Sequence, residues 1–250
     1  MILLIDVGNT NIVFGFAEEK NLVQTFRVKT LTDKTSDEYY LYIKPMLDSY
    51  IIDDVIISSV VPVVTSALYK VFKKYFNIEA KALGPGIKTG IQLKVDDPKT
   101  VGSDIICDAA GAMAFYDEAI IIDLGTASKY IYVKNNVFLG VSIAPGVAVS
   151  MKAMISSAAL LPQVELVCPK KVIGTNTIAC MQSGVIFGAA SQVDGMIDRI
   201  MDEINNHDIP VIATGGLSGL ITPLCKHSID RKDNLTLLGL LEIYNKNLVA

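Results

Sequence analysis

The amino-acid sequence predicts an α/β fold built from two similar halves. Two observations support this prediction: a repeated strand–turn–strand motif, and strands that alternate with amphipathic helical segments along the rest of the chain. The 250 residues suffice for one large domain or two small ones, and 51% of them are apolar, enough to bury a sizeable core. We expect the halves to span residues 1–115 and 116–250.

The repeat lies at residues 2–23 and 119–140. In both segments an apolar strand leads into Asp-x-Gly, small polar residues follow, and a second apolar strand ends in a polar turn. The aspartates of the two motifs, Asp6 and Asp123, are separated by an offset of 117 residues, and we expect this offset to be constant along the repeat. The pattern predicts a β-hairpin in each half with functional groups at its turn. We expect the two aspartates to face one cleft.

The segments outside the repeat predict further helices and strands. Apolar residues at helical spacing favour helices over residues 35–50, 64–76 and 176–204. Apolar, β-branched runs predict buried strands over residues 54–61 and 211–214. This alternation is typical of α/β proteins.

Composition excludes several classes of protein. The formal net charge is −4 and the pI is near 5.2, so we expect no basic surface for nucleic acid. The longest apolar stretch, residues 55–64, is interrupted by polar residues and proline and is too short to span a membrane. We interpret the widely spaced cysteines as small, buried, reduced thiols of a cytoplasmic protein: Cys107, Cys168, Cys180 and Cys225.

The first hairpin turn, residues 6–11 (DVGNTN), has the residue types of a phosphate and metal site. Its glycine lets the backbone approach an anion closely, and its Asn and Thr side chains supply hydrogen-bond donors. A carboxylate at the end of a buried strand is costly to desolvate unless it binds a cation or donors. An ordinary Asx-rich turn has a similar composition, but the second copy at residues 123–128 favours the binding interpretation. Two such turns can hold both ends of a nucleoside triphosphate.

A third glycine-rich turn, residues 213–217 (ATGGL), follows a predicted strand. Its backbone N–H groups are suited to an anion, and its glycines would equally let a nucleoside base lie against the backbone. The sequence contains neither G-x-x-x-x-G-K-[ST] nor G-x-G-x-x-G. It therefore predicts neither a Walker ATPase nor a Rossmann oxidoreductase.

These motifs resemble those of the actin-like, sugar-kinase ATPase superfamily and, within it, of the type III pantothenate kinases. The resemblance runs almost end to end. In order, it includes DVGNTN at 6–11, KTSDEY at 34–39, ISSVVP at 57–62, GPGIKTGI at 84–91, DDPKTVGSD at 96–104, IIIDLGTA at 120–127, SIAPGV at 142–147, AALLP at 158–162, IGTNTIACMQSG at 173–184, ATGG at 213–216 and DNLTLLGLLEIYNKN at 233–247. The resemblance implies two ribonuclease-H-like (actin-like ATPase) halves related by internal duplication. It also implies ATP-dependent phosphorylation of pantothenate to 4′-phosphopantothenate, the first step of coenzyme A biosynthesis.

The resemblance implies roles for individual residues. The first turn resembles a nucleotide-phosphate motif with Mg²⁺ close to its aspartate: Asp6, Val7, Gly8, Asn9, Thr10 and Asn11. Thr126 resembles a second phosphate contact, and Asp123 resembles the ligand of a monovalent cation, K⁺ or NH₄⁺. Asp104 resembles the general base, and the substrate contacts are Gly102, Ser103 and Thr177. The family acts as a homodimer whose acceptor pocket lies at the subunit interface. A helix N-cap is the purely structural alternative for Asp104.

Three positions on the acceptor side depart from the family pattern. Ile105 stands where an Arg usually follows the general base, Val95 where a Tyr is usual, and Lys129 where a Thr is usual. Without that Arg, a bidentate partner for the pantothenate carboxylate is missing. Lys129 either supplies a replacement charge or faces solvent from its strand. The alternative function is therefore a nucleotide-binding paralogue with weak, altered or no pantothenate kinase activity, acting as a regulatory subunit or on another small acceptor.

Overall fold

The computed structural model describes residues 1–158 and 160–248, which fall into two units. Unit 1 contains Met1–Phe115 together with the C-terminal helix, and unit 2 contains Tyr116–Asn234. Residue 159 of the AALLP motif and residues 249 and 250 lie outside the described residues. In the described part of the chain, no helix is both long and apolar enough to cross a bilayer.

Unit 1 is organised around a sheet with the strand order β3-β2-β1-β4-β5. Its strands are β1 (Ile2–Val7), β2 (Asn11–Glu18), β3 (Asn21–Lys29), β4 (Asp54–Ser59) and β5 (Lys81–Ala82), followed along the chain by the two-residue strand β6 (Gln92–Leu93). The first three strands pair antiparallel. Strand β4 pairs parallel with β1, and β5 pairs parallel with β4. The helices of this part of the chain are α1 (Ser36–Leu47), α2 (Pro62–Val71) and α3 (Ser103–Ala112).

Local sequence explains where the first two helices begin and end. Thr35 forms a capping box with Glu38, in which each side chain binds the other's backbone N–H at the start of α1. Pro62 occupies the first turn of α2, where its missing N–H costs nothing. Helix α2 continues into one π-helical turn, Phe72–Phe76, and ends at Asn77 in the left-handed conformation with φ 55°.

Unit 2 has strands β7 (Glu118–Leu124), β8 (Ala127–Lys134), β9 (Val137–Pro145), β10 (Val211–Thr214) and β11 (Asp230–Arg231). Their order in the sheet is β11-β10-β7-β8-β9. Strands β7, β8 and β9 pair antiparallel. Strand β10 pairs parallel with β7, and β11 pairs parallel with β10. The helices are α4 (Val147–Ser157), α5 (Thr177–Ile204) and α6 (Ser218–Ile221).

The two sheets have the same topology, which confirms the prediction of two duplicated α/β halves. In each, a central strand pairs antiparallel with a hairpin partner on one side and parallel with a later strand on the other. The β2–β3 and β8–β9 pairings also contain a register shift at matching places, between Phe16 and Ala17 and between Tyr132 and Val133. The two sheets therefore share this irregularity as well as their strand order.

The expectation of a constant 117-residue offset is wrong beyond the first strand of the repeat. Three residues, 8–10, connect β1 to β2, whereas only residues 125 and 126 connect β7 to β8. The second turn is therefore one residue shorter. As a result, the following strands match at an offset of 116 residues, with β2 beginning at Asn11 and β8 at Ala127.

The C-terminal helix α7 (Leu235–Leu248) belongs to unit 1, so the expected division at residues 1–115 and 116–250 differs from the structure here. Helix α7 packs on α3 through glycines: the carbonyl oxygen of Cys107 leaves no room for a side chain at Gly239. The Thr236 hydroxyl donates to the buried carboxylate of Asp108 at 2.7 Å. Close helix contact and a buried polar bond explain why this helix leaves the sequence-adjacent unit.

Candidate active site

The first turn, between β1 and β2, is held in shape by backbone and side-chain hydrogen bonds. The N–H of Gly8 donates to the carbonyl of Asn11 at 3.0 Å. Directly after β3, the Thr30 hydroxyl donates to the Gly8 carbonyl at 2.6 Å. Asn9 and Thr10 are exposed at the tip. The turn therefore presents polar side chains on a fixed backbone.

Asp6 lies near the end of β1 and is paired in register with Ser58 of β4. The fully buried Ser58 hydroxyl donates to Oδ1 of Asp6 at 3.1 Å. Ser103, at the start of α3, has its Oγ 3.2 Å from that of Ser58, donates to the Ser59 carbonyl at 3.0 Å and accepts the Ser59 N–H at 2.9 Å. This network, here called the Ser58 network, links β1 and β4 to the first turn of α3.

Asp104 lies in the first turn of α3, one residue beyond Ser103. Its Oδ1 accepts the N–H of Ile105 at 2.9 Å. Gly102, not Asp104, is the N-cap residue, so the N-cap interpretation of Asp104 is wrong. From within the first turn, the carboxylate still accepts one backbone N–H of the helix.

Cys107 is fully buried one turn further along α3. Burial, and then the negative charge of Asp6, raise the pKa of this thiol well above its ordinary value, with a hydrogen bond to Ser58 acting in the opposite direction. The thiol therefore stays protonated at neutral pH and is not a nucleophile. By contrast, Cys168 and Cys180 are exposed, against the expectation that all four cysteines are buried.

The second turn follows Asp123 at the end of β7. Asp123 is paired in register with Lys129 of β8, and the Lys129 Nζ lies 2.6 Å from Asp123 Oδ2. Each of these side chains is only 13% exposed. The solvent-facing interpretation of Lys129 is therefore wrong, because its ammonium group lies in an ion pair that is mostly shielded from water.

The residues around Asp123 do not fit a monovalent cation bound to that carboxylate. An ammonium group already lies at hydrogen-bond distance from Oδ2. Two like unit charges 4 Å apart repel by about 4 kcal/mol near a protein surface. A second cation would have to overcome this repulsion or displace Lys129.

Gly215, directly after β10, packs against the second turn. Its φ is +90°, and a Cβ there would lie 2.5 Å from Asp123 Oδ1 and 2.6 Å from the carbonyl carbon of Leu124. The Leu217 N–H also donates to the Leu124 carbonyl at 3.2 Å. The third glycine-rich turn and the second hairpin turn thus form one continuous backbone surface in unit 2, suited to a nucleotide.

Thr126 forms the tip of the second turn. Its carbonyl accepts the N–H of Gly146 at 3.2 Å, and the carbonyls of Gly125 and Thr126 leave no room for a side chain at Gly146. Thr177 is the first residue of α5 and is exposed, after Asn176, whose side chain caps the helix.

Each unit thus brings together part of the predicted site. Unit 1 joins the Asp6 turn to Gly102, Ser103 and Asp104 through the Ser58 network, and unit 2 joins Asp123 to Thr126 and Gly215. The side chain of Val7 is in the core, so only its backbone is accessible to a ligand. The sequence analysis assigned no role to Ser58, Ser59, Cys107 or Gly146, although three of these lie in or beside motifs of the resemblance.

The fold defines the class of protein first. Solved structures with the same fold include component A of (R)-2-hydroxyglutaryl-CoA dehydratase from Acidaminococcus fermentans, with a TM-score of 0.57 and 16% identity over 100% of this chain and 99% of that chain. A ROK family protein from Streptococcus pneumoniae in complex with sucrose matches with a TM-score of 0.53 and 10% identity over 99% of both chains. The chain has the actin-like, sugar-kinase ATPase fold, made of two ribonuclease-H-like units.

Sequence comparison then defines the family. A family model described as type III pantothenate kinase matches residues 2–199. The type III pantothenate kinase of Acholeplasma laidlawii is 46% identical over 248 residues, covering 99% of this chain and 100% of the relative. That of Halalkalibacterium halodurans is 44% identical over 255 residues, covering 99% and 100%. The chain belongs to the type III pantothenate kinase family.

Proposed function

We propose that this protein transfers the γ-phosphoryl group of ATP to the primary hydroxyl of pantothenate, giving 4′-phosphopantothenate, in the first step of coenzyme A biosynthesis. The observation that carries the proposal is membership of the type III pantothenate kinase family along the whole chain. The local geometry supports it, because polar turns with fixed backbones are what phosphoryl transfer requires of a protein: positioning and charge stabilisation rather than covalent chemistry.

In this proposal the phosphates of ATP bind the first turn, residues 6–11, and Thr126 of the second turn. Asp6 holds Mg²⁺, which when bound neutralises phosphate charge. Its carboxylate fits this role because Mg²⁺ is usually held by one or two carboxylates together with substrate phosphates. The Ser58 hydroxyl keeps one carboxylate oxygen of Asp6 oriented by donating to it. The ATGG turn beside Asp123 supports the rest of the nucleotide.

Asp104 is the general base in this proposal. Its carboxylate accepts the proton of the pantothenate hydroxyl as the new bond to phosphorus forms. The Ser58 network supports this role by fixing the first turn of α3 on β4, which keeps Asp104 in one place. Gly102, Ser103 and Thr177 are proposed acceptor contacts. Because the Ser103 hydroxyl is engaged with the Ser59 backbone, its own contribution is chiefly to position α3.

We further propose a homodimer that forms through α4 and α5. A groove of about 380 Å³ runs between these helices of unit 2, and its lining includes Met154 and Met181. Large apolar side chains are exposed on the same helices, with Val149 41% and Ile178 48% exposed. Such a surface is typical of a protein–protein contact. A cytoplasmic location is proposed from the four free thiols.

The experiment that tests the function is ATP turnover by the purified chain with Mg²⁺, with and without pantothenate. We expect ADP formation that depends on pantothenate and matches, mole for mole, a product heavier by one phosphoryl group. ATP binding without pantothenate-dependent turnover would instead support the nucleotide-binding paralogue. One observation favours that alternative: the position after Asp104 is the apolar Ile105, only 6% exposed, which offers no charge to the pantothenate carboxylate.

A further inference from the structure

The ion pair between Lys129 and Asp123 lies where the family resemblance implies a monovalent cation. We propose that the Lys129 ammonium group permanently replaces that cation, so that phosphoryl transfer by this chain needs no added K⁺ or NH₄⁺. This inference rests on the proposed kinase function for its activity test. The structural part, a cation supplied by the chain itself, stands on contacts within unit 2.

Both oxygens of the Asp123 carboxylate have close neighbours. Lys129 Nζ lies 2.6 Å from Oδ2. On the other side, a Cβ at Gly215 would lie 2.5 Å from Oδ1, and one at Gly125 would lie 3.3 Å from it. The backbone of two glycine turns therefore closes around Oδ1 while the ammonium group covers Oδ2. A free cation at Oδ2 would therefore compete with an ammonium group that the chain itself supplies.

The chemistry of the lysine side chain suits the replacement. An ammonium group is a compact point charge with three N–H donors, so it can contact Asp123 and further acceptors at once. It differs from NH₄⁺ by one carbon substituent. Next to bound phosphates, the Asp123 carboxylate alone would repel the nucleotide, whereas the ion pair is neutral. Lys129 therefore acts as a positioning residue through Asp123.

A second ion pair on the same two strands provides a matched control. Lys134 of β8 lies 3.1 Å from Glu118 of β7, with side-chain exposures of 48% and 20%. It has the same charges and the same cross-strand pairing, but it lies at the far end of the strands from the turn. Lys134→Thr thus removes a strand lysine without touching the nucleotide site.

The alternative role of Lys129, as a partner of the pantothenate carboxylate, predicts a different result. If Lys129 bound pantothenate, its replacement would raise the KM for pantothenate to the same degree with every cation. If it replaces a cation, its removal creates a dependence on K⁺ or NH₄⁺ that the wild type lacks. Cation dependence is also a property that a merely structural lysine would not change.

The test measures pantothenate-dependent ATP turnover of the wild type, Lys129→Thr, Lys129→Gln and Lys134→Thr. The buffers contain choline, K⁺ or NH₄⁺ as chloride, at fixed ionic strength and Mg²⁺. The wild type and Lys134→Thr should vary less than about twofold among them, whereas Lys129→Thr should be at least about tenfold slower in choline and regain rate in K⁺ or NH₄⁺. A wild type activated tenfold or more by K⁺, or a Lys129→Thr equally slow in all buffers, would overturn the proposal.

A thermal-stability measurement keeps the inference testable apart from catalysis. In K⁺ the Tm of Lys129→Thr should exceed its Tm in choline by a few degrees, because a bound ion stabilises the folded state, and the wild type should show no such difference. Equal Tm gains in both proteins would contradict the proposal. A wild type without turnover in any buffer would refute the proposed function alone, since this measurement still decides the role of Lys129. Lys129→Gln replaces Lys129→Thr here if the latter does not fold.

Discussion

The two hairpin turns share one scaffold but surround their aspartates with different groups. In unit 1, Asp6 is paired across the hairpin with Val13 and receives a hydrogen bond from the Ser58 hydroxyl. In unit 2, Asp123 is paired across the hairpin with Lys129, whose ammonium group binds it directly. The position opposite the aspartate on the second strand thus holds an apolar residue in unit 1 and a cation in unit 2. The two units thus share a topology but differ in the chemistry around the aspartate.

This difference suggests a division of roles between the units. A carboxylate oriented by a hydroxyl donor, as Asp6 is by Ser58, is suited to Mg²⁺. A carboxylate paired with an ammonium group, as Asp123 is with Lys129, is suited to support phosphates without repelling them. The predictions below test this division, and each compares a change in one unit with a matched change elsewhere.

The largest effect is expected from Asp104→Asn in unit 1. Asn keeps the shape of the side chain but cannot accept the pantothenate proton, and removal of a general base typically lowers the rate about 10²–10⁴-fold. Because the nucleotide turns are unchanged, the Kd for ATP should stay within about twofold. Steady-state turnover and calorimetric ATP binding measure the two effects.

Asp97→Asn is the control for Asp104→Asn, since Asp97 precedes α3 and its Oδ1 caps a short 3₁₀ turn by accepting the Lys99 N–H. It should leave turnover nearly unchanged. Turnover of Asp104→Asn at the wild-type rate would show that Asp104 is not the general base. The roles of the two turns would then need a different assignment.

Gly215→Ala should destabilise unit 2 more than Gly86→Ala destabilises unit 1. Both glycines have similar positive φ, +90° and +93°, but a Cβ at Gly86 meets nothing within 4 Å. The left-handed conformation should cost either variant about 1–2 kcal/mol. The contact of the new methyl with Asp123 and Leu124 should cost Gly215→Ala about 1–3 kcal/mol more. Thermal unfolding of both variants gives the comparison. Equal losses in the free energy of unfolding would show that a methyl group at Gly215 is tolerated beside the second turn.

Much of this architecture is predictable from the sequence because its signals are local. The Asp-x-Gly repeat and alternating strands predict two α/β halves, and β10 has the predicted bounds, residues 211–214. The transfer of α7 to unit 1 was not predictable. It depends on contacts between residues far apart in the chain, such as Gly239 with Cys107, which leave no local pattern.

The composition of the candidate site was predictable, but its internal contacts were not. The residue types at both turns indicate phosphate binding. Whether Lys129 faces solvent or binds Asp123 depends on the register of β8, which shifts by one residue with turn length. Ser58 appears in the sequence as part of an apolar strand, and only its pairing with Asp6 gives it a role.

Ile105→Arg tests whether the charge missing from unit 1 is supplied elsewhere. If Lys129 serves only Asp123, it does not compensate for the charge missing at Ile105. A new guanidinium should then improve pantothenate binding by about tenfold, since a charged hydrogen bond contributes about 1.5–3 kcal/mol and 1.4 kcal/mol corresponds to tenfold.

Titration with pantothenate in the presence of a non-hydrolysable ATP analogue measures the Kd for pantothenate. Ile105→Met, which keeps the nearly buried position apolar, is the control and should bind like the wild type. An unchanged Kd in a folded Ile105→Arg would show that the acceptor carboxylate lies elsewhere.

The smallest effect is expected from Ser58→Ala, which removes the hydroxyl that distinguishes the environment of Asp6 from that of Asp123. Ser58 is fully buried, and hydrogen bonds to charged groups contribute about 1.5–3 kcal/mol, part of which water entering at the turn will restore. We expect a loss of about 1 kcal/mol in the free energy of unfolding and a few-fold weaker Mg²⁺–ATP binding. Ser183→Ala is the control, because the Ser183 hydroxyl is also buried but donates to the Val172 carbonyl in unit 2. It should show a similar loss of stability with unchanged nucleotide affinity. If both variants bind nucleotide like the wild type, the Ser58 contact only stabilises the fold, and the difference between the two turns reduces to Lys129 alone.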